Sequence, residues 1–183
     1  MIWFTSDFHM GHDKDFIVEK RGFQTIEEMN MTIINNLFCC LEEGDDLYIL
    51  GDIAMGSVEA AAPYLKMIPW QTHFLIGNHD SLKRIALYES LGWINEGYAT
   101  IIQDGKWNFY LSHYPTLVAN YDDGKKHLPI INLYGHTHQN SNFFNDNPYM
   151  YHVGVDSHNC MPVNIDQIKM HIRKKVEKEI MNG

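Results

Sequence analysis

Leu47-Tyr48-Ile49-Leu50-Gly51-Asp52 and His73-Phe74-Leu75-Ile76-Gly77-Asn78-His79-Asp80 decide the architecture. Each is a short apolar run that stops at a glycine and then presents acidic, amide or imidazole side chains. Each also follows a stretch of helical character, the order expected of strands alternating with covering helices. Upstream of the first run, Thr25 and Glu28 form a capping-box pattern, and Met29, Ile33, Ile34, Leu37 and Phe38 recur at helical spacing up to Leu41. Between the two runs, Ser57 to Met67 reads as a helix interrupted by Pro63, and after the second a helix runs from Ser81 to Leu91.

The same pattern extends to both ends. Ile2 to Ser6 is a strand that stops at Asp7-Phe8-His9-Met10-Gly11-His12. Tyr98 to Ile102 and Trp107 to Leu111, joined through Asp104-Gly105, make a hairpin that enters Ser112-His113-Tyr114-Pro115. Leu128 to Tyr134 ends at Gly135-His136-Thr137-His138, Met150 to Val155 is a last strand, and Ile165 to Ile180 is a terminal helix. Residues 1–183 carry no linker or low-complexity segment, and the reading is one α/β layered domain.

The chain has 23 acidic and 14 basic side chains, a formal charge of -9. Its longest basic block is Arg173-Lys174-Lys175, which argues against charge-driven capture of a nucleic-acid backbone. A phosphorylated substrate remains compatible, because bound cations invert the field of an acidic pocket. Cys39, Cys40 and Cys160 form no Cys-x-x-Cys pair, and no segment is long enough to span a bilayer, so a reducing, cytoplasmic setting is expected.

Five apolar runs thus end in Asp7-x-His9, Gly51-Asp52, Gly77-Asn78-His79-Asp80, His113 and His136-x-His138. Ligands of α/β folds gather beyond the carboxyl ends of strands, so the five endings predict one shared site. Imidazole nitrogen with carboxylate oxygen suits borderline divalent metals, and Asp7, His9, Asp52, Asn78, His113, His136 and His138 are enough for two ions if one carboxylate bridges them. The absence of cysteine disfavours a thiolate site. Two ions about 3.5–4 Å apart activate a water and steady the oxygens around phosphorus, with no need of a serine nucleophile such as Ser112. Gly51, Gly77 and Gly135 each stand before a ligand, where close backbone approach is expected.

This series, in this order over residues 1 to 158, resembles that of the calcineurin-like metallophosphoesterases, and the opening Trp3 to His12 with Arg21-Gly22-Phe23 looks like a compact bacterial or phage branch. The resemblance implies a layered α-β-β-α sandwich of two mixed sheets flanked by helices. It implies that Asp7, His9 and His138 bind a first metal, that Asp52 bridges, and that Asn78, His113 and His136 hold the second. His79 would contact the phosphate and act as general acid, with Asp80 keeping its tautomer and orientation. Two divalent ions among Mn, Fe, Zn, Ni and Co are implied, acting through a metal-bridging hydroxide.

His12 and Arg21 are expected as phosphate contacts near the metal edge, alongside Asn78 and His79 as substrate-binding residues. The loop carrying Asn140, Asn142, Asn145, Asp146 and Asn147 is a candidate rim. His73, His127 and His171 read as surface or boundary residues, and Asp156 or His158 as a support to the site. The expected substrate is a small phosphate ester or nucleotide, with phosphodiesterase chemistry favoured. A nuclease on short nucleic acid and a non-catalytic metal-binding scaffold are the rival readings. Stable nucleic-acid or membrane partners are not expected, and the lack of a specificity cap leaves room for a homodimer to wall the pocket.

Overall fold

The computed structural model describes residues 1–12, 15–118 and 130–182. Strands β1 (Ile2–Thr5), β2 (Asp46–Leu50), β3 (Gln71–Leu75) and β4 (Ile94–Asn95) alternate with helices α1 (Asp15–Lys20), α2 (Ile26–Cys40), α3 (Val58–Leu65) and α4 (Leu82–Ser90). Then come β5 (Ala99–Asp104), β6 (Trp107–Ser112), β7 (Ile131–Tyr134), β8 (Met150–His152), β9 (Val163–Asn164) and α5 (Ile165–Asn182).

The strands form two mixed sheets. One has the order β4-β3-β2-β1-β9, parallel except for the antiparallel edge β9, and the other the order β5-β6-β7-β8, parallel except for the β5–β6 hairpin. Helices flank them, so the layered sandwich expected from the sequence is the one observed. Alternation along the first sheet explains the layering. Trp3, Leu47, Ile49 and Phe74 point into a core built with Met29, Ile33, Ile34 and Leu37 of α2, whereas Phe4, Leu50 and Leu75 join Phe109, Leu111 and Leu133 of the second sheet. Ile165, Ile168 and Ile172 bring α5 into that second core.

The capping box closes α2 at its start. Thr25 Oγ1 accepts from the Glu28 amide at 3.1 Å, while the Glu28 carboxylate reaches back to the amide of Gln24 at 2.9 Å, one residue before the cap. The hairpin turns through Gly105-Lys106, with Asp104 facing Trp107 and Gly105 at φ 59°.

The structure departs from expectation in a few places. Strands β4 and β9, two residues each, and helix α1 carry no periodicity and were not anticipated. Strand β8 stops at His152, because the chain then bends so that Gly154 bridges Ser6, and Val155–Ser157 winds into a 3-10 turn. Leu128 and Pro129, expected to open β7, lie outside the described residues, as does His127. The Ser6–Gly154 bridge is a seam between the two sheets, and a second bridge, Met10 to Ala54, ties the loop after β1 to the loop after β2. The site lies at this seam.

Two measurements test the fold. Thr25→Ala removes the cap of α2 and should lower the unfolding free energy by about 1 kcal/mol in a urea titration with unchanged slope. On β8, burial, reinforced by His158, pushes the His152 imidazole down to about 3 from an ordinary 6.5. The unfolded chain therefore binds this proton between those two values while the folded chain does not, so acidification favours unfolding. Each such proton contributes roughly 1.4 kcal/mol per pH unit. His152→Gln should reduce the stability lost between pH 6 and pH 5 by about 1 kcal/mol, measured by denaturant titration at the two pH values; an unchanged loss would assign the slope to other groups.

Candidate metal centre

Asp7, His9, Asp52, His136 and His138 share an uncommon backbone: their φ values are 60°, 53°, 53°, 67° and 47°, all in the left-handed region. A non-glycine residue there pays of order 1 kcal/mol or more, and persists only where surrounding contacts hold it. Those contacts are visible. The Asp7 amide donates to Gly51 O at 3.1 Å, His9 N to Asp52 O at 3.0 Å and Met10 N to Ile53 O at 3.0 Å, so the loops after β1 and β2 are sewn together residue by residue. Each strand end turns its ligand inward at the point where the ladder stops.

The turning space is as tight as the glycine reading anticipates. A Cβ on Gly77 would overlap the Asp52 carboxylate, and one on Gly135 would overlap Ser6 Oγ and Asp7 Oδ2. Gly51 meets both demands at once: its φ is 85°, and a Cβ would lie 2.7 Å from His113 Nδ1.

Two triads of ligand atoms result. Asp7, His9 and His138 form one, Asp52, His113 and His136 the other, with all ligand atoms within 4.8 Å of one another in each. Asp52 stands between them, its Oδ2 3.4 Å from His113 Nε2 and 3.9 Å from His9 Nε2. Asn78 Oδ1 completes the second group at 3.0 Å from His113 Nε2 and 2.9 Å from His136 Nδ1.

The donor chemistry fits cations. His113 Nδ1 points at Leu50 O at 2.8 Å and His138 Nδ1 at Asp156 Oδ2 at 2.8 Å, so each spends its N–H there and turns a lone pair of Nε2 inward. His138 Nε2 then faces His9 Nε2 at 3.1 Å, and His113 Nε2 faces Asn78 Oδ1. Nitrogen and oxygen lone pairs aimed at one another from several sides are what a borderline divalent ion satisfies. The electrostatics divide the ligands, holding Asp52 and His9 in their ligating forms and drawing His113 and Asp7 toward the protonated ones. Burial works to raise the Asp52 carboxyl, but His113, the His79 amide and His9 outweigh it and hold the group down at about 2. Burial, reinforced by Arg21 and His138, pushes His9 down to about 2, which keeps its imidazole neutral and able to ligate. Burial opposes a charge on His113, yet Asp52 and Asp7 pull its pKa up. Burial likewise pushes the Asp7 carboxyl up against the pull of His113, His138 and the Ser6 hydroxyl, which donates to it at 2.5 Å.

His79 stands over the Asp52 carboxylate, its side chain 39% exposed and Nε2 3.9 Å from Asp52 Oδ2, while its amide donates to Asp52 Oδ1 at 2.9 Å. Asp80, expected to orient the His79 ring, does something else. Its Oδ2 accepts from the amides of Asp52 at 2.8 Å and Gly77 at 2.9 Å, and its Oδ1 from Tyr88 OH at 2.8 Å and Ile53 N at 3.3 Å. The carboxylate therefore fixes the two ligand-bearing turns, and its oxygens are committed to these donors. The His79 carbonyl is held by Arg84 Nη1, whose other arm reaches Gly56 O at 2.7 Å.

Other expectations are corrected as well. Arg21 does not face the phosphate edge: its side chain is 3% exposed and paired to Asp156 at 2.9 Å. His12 is buried too, its ring 6.0 Å from that of His9 and its amide donating to His9 O at 3.1 Å. The far end of the asparagine loop leans on α5, where Asp146 pairs with Lys175 at 2.9 Å. His73 pairs with Glu96 at 2.7 Å and His171 with Tyr151 OH at 2.6 Å, both away from the triads. Of the two supports considered, Asp156 holds His138 whereas His158 turns to His152 O at 2.9 Å. Ser112 Oγ donates to Tyr114 O at 2.7 Å.

Sequence reading missed Ser6, Arg84 and Tyr88. Only Arg84 left a signal: a cation in the first turn of α4 opposes the helix dipole and calls for a partner. A cavity of about 840 Å³ between the β5–β6 hairpin and α5 contains neither triad. Convergent chemistry, and not concavity, locates the site.

Comparison with known proteins agrees with this geometry. An uncharacterized protein of Methanocaldococcus jannaschii is 29% identical over 181 residues, covering 94% of this chain and 92% of its own. The Gene 66 protein of Mycobacterium phage D29 is 26% identical, with 88% and 92% covered. The crystal structure of a protein of unknown function from Aquifex aeolicus shares the fold at a TM-score of 0.67 and 22% identity, covering 93% of this chain and 98% of that one. The family model described as calcineurin-like phosphoesterase matches residues 1–171, and with both triads in place at the strand ends the chain belongs to that family.

Proposed function

We propose that this chain is a metal-dependent phosphoric ester hydrolase that holds two divalent ions and cleaves a small phosphodiester, a nucleotide among the candidates. The observation that carries the reading is the pair of facing triads with Asp52 between them and His79 above. Asp7, His9 and His138 would hold one ion, His113, His136 and Asn78 the other, and Asp52 both. Such a pair supplies an activated water and neutralises charge on the phosphoryl oxygens.

The chain's own residues supply the rest. Asp80 and Arg84 fix the turn that bears His79, leaving its Nε2 exposed above the bridging carboxylate. A phosphoryl group spanning the two sites would put its leaving oxygen within reach of this nitrogen, which can hand over a proton as the ester bond breaks. His79 would thus lower the barrier most for poor leaving groups. A diester preference fits the lack, among the described residues, of a positive wall to receive the second charge of a monoester: Arg21 and Arg84, the arginines near the site, are spent on protein partners, and Lys20 Nζ donates to His138 O at 3.0 Å. The acidic surface favours a small substrate over a long nucleic acid. Among the described residues no helix is long and apolar enough to cross a membrane.

Elemental analysis after Mn²⁺ loading, with turnover of bis-p-nitrophenyl phosphate against p-nitrophenyl phosphate, tests this. About two ions per chain and faster diester cleavage are expected; no turnover of either ester above a metal-free control would overturn the hydrolase. His79→Ala should keep both ions and lose about 10²–10³ in kcat on an alkyl or nucleoside ester, and less on the p-nitrophenyl esters, whose leaving group needs little protonation. Asp52→Asn should weaken both ions together.

A further inference from the structure

Arg21 directly follows the last residue of α1, outside both sheets, yet its guanidinium is buried against the metal centre. Nε reaches Asp156 Oδ1 at 3.1 Å and Nη2 reaches Oδ2 at 2.9 Å, a two-pronged pairing that a lysine cannot reproduce. Its other bonds go to the backbone of the ligand loop: Nη2 to Asp7 O at 2.7 Å and Nη1 to Phe8 O at 3.2 Å. Asp156 Oδ2 also accepts the His138 Nδ1 proton at 2.8 Å.

One guanidinium therefore reaches the whole Asp7–His9–His138 group. It holds Asp7 by its own carbonyl and His138 through Asp156, and it holds the carbonyl of Phe8, the residue between Asp7 and His9. The other group is supported differently: His113 by the Leu50 carbonyl and the Asp52 backbone by Asp80. We infer that Arg21 and Asp156 form a positioning pair that sets the affinity of the Asp7–His9–His138 site for its ion separately from that of its neighbour.

The physical reason lies in both partners. Asp156 fixes the tautomer that leaves His138 Nε2 free to ligate and makes that nitrogen more basic. With 4% of its side chain exposed, an unpaired carboxylate at this position would be strongly disfavoured, and Arg21 compensates it. In return the pair stiffens Asp7 in its left-handed conformation. Arg21 is thus a positioning residue for one ion, acting through Asp156 and the backbone of the Asp7–His9 loop.

The inference rests on the dinuclear reading above, and the test separates the two. Metal-depleted wild-type, Asp156→Asn and Arg21→Lys proteins are titrated with Mn²⁺ by calorimetry, and the electron paramagnetic resonance signal is recorded at saturation and at one equivalent. Wild type should take two ions and show a spin-coupled pair. In Asp156→Asn one ion should keep its affinity while the other weakens about 10–100-fold, leaving the signal of an isolated ion at one equivalent. Arg21→Lys should fall between, since it keeps the charge without the fork. Two ions bound at wild-type affinity in both variants, or both ions weakened in step, would overturn the clamp. Fewer than two ions on the wild type would instead overturn the dinuclear reading, and the clamp with it. Asp156→Asn, nearly isosteric and still an acceptor, decides the matter if circular dichroism shows that Arg21→Lys does not fold.

Discussion

Two aspartates, an asparagine oxygen and four imidazoles aim their lone pairs into a space only a few ångströms across, and holding them there against mutual repulsion is the constraint on which the rest of the structure depends. Burial sharpens the problem, because water is kept from the groups that repel one another and the effective dielectric falls. Five of the ligands also adopt a backbone conformation that costs free energy. A strand ending alone could not bear this load. The parallel stitching of the loops after β1 and β2 to each other does, with the amides of Asp7, His9 and Met10 donating across and Asp80 gathering the amides of Asp52, Ile53 and Gly77. The flanking helices matter to the site chiefly by burying the backs of these strands, so that the turns cannot relax outward.

The longer strands and the convergence of the two His/Asp clusters are legible because both depend on local signals. A short apolar run must end where its flanking polar residues begin, and glycine before a ligand reports close approach wherever the fold needs it; Gly77 and Gly135 behave in this way. What escaped depends on direction in space. Nothing in His79-Asp80 tells which way the carboxylate turns, and it turned to the backbone of a strand end 28 residues earlier in the chain. Arg21 is read as an exposed phosphate contact because basic residues in a polar stretch usually are; its burial follows from Asp156, 135 residues away, which no periodicity links to it. Strands β4 and β9 are too short for a pattern and exist because the sheet edge is already there to pair with.

The two metal groups, alike in ligand type, differ in what supports them. One leans mainly on the sheets, with Asp80 holding the Asp52 amide: His113 rests on a main-chain carbonyl of β2, and such a bond changes only if the strand moves. The other is built on side chains, through Asp156 and Arg21, whose positions depend on α1 and on the turn after β8. Side-chain supports carry charge, so they tune the electron density at the ligand as well as its place. They are also separable from the fold, because exchanging them does not unpair a strand. A dinuclear centre supported in this unequal way can fix one ion by architecture and adjust the other by electrostatics.

That division bears on how an acidic chain handles an anionic substrate. The surface field repels phosphate, and the nearby arginines are committed to carbonyls and to Asp156. Among the described residues the attraction is then left to the ions that the two triads would hold, over a short range, within a Debye length of about 8 Å at physiological salt. On the proposed dinuclear reading, substrate capture would be governed by metal occupancy more than by the protein surface, and whatever sets the affinity of either ion would also set the fraction of chains able to bind the ester. For the Asp7–His9–His138 ion that affinity would rest on a buried arginine, whose guanidinium is spent on Asp156 and on the carbonyls of Asp7 and Phe8.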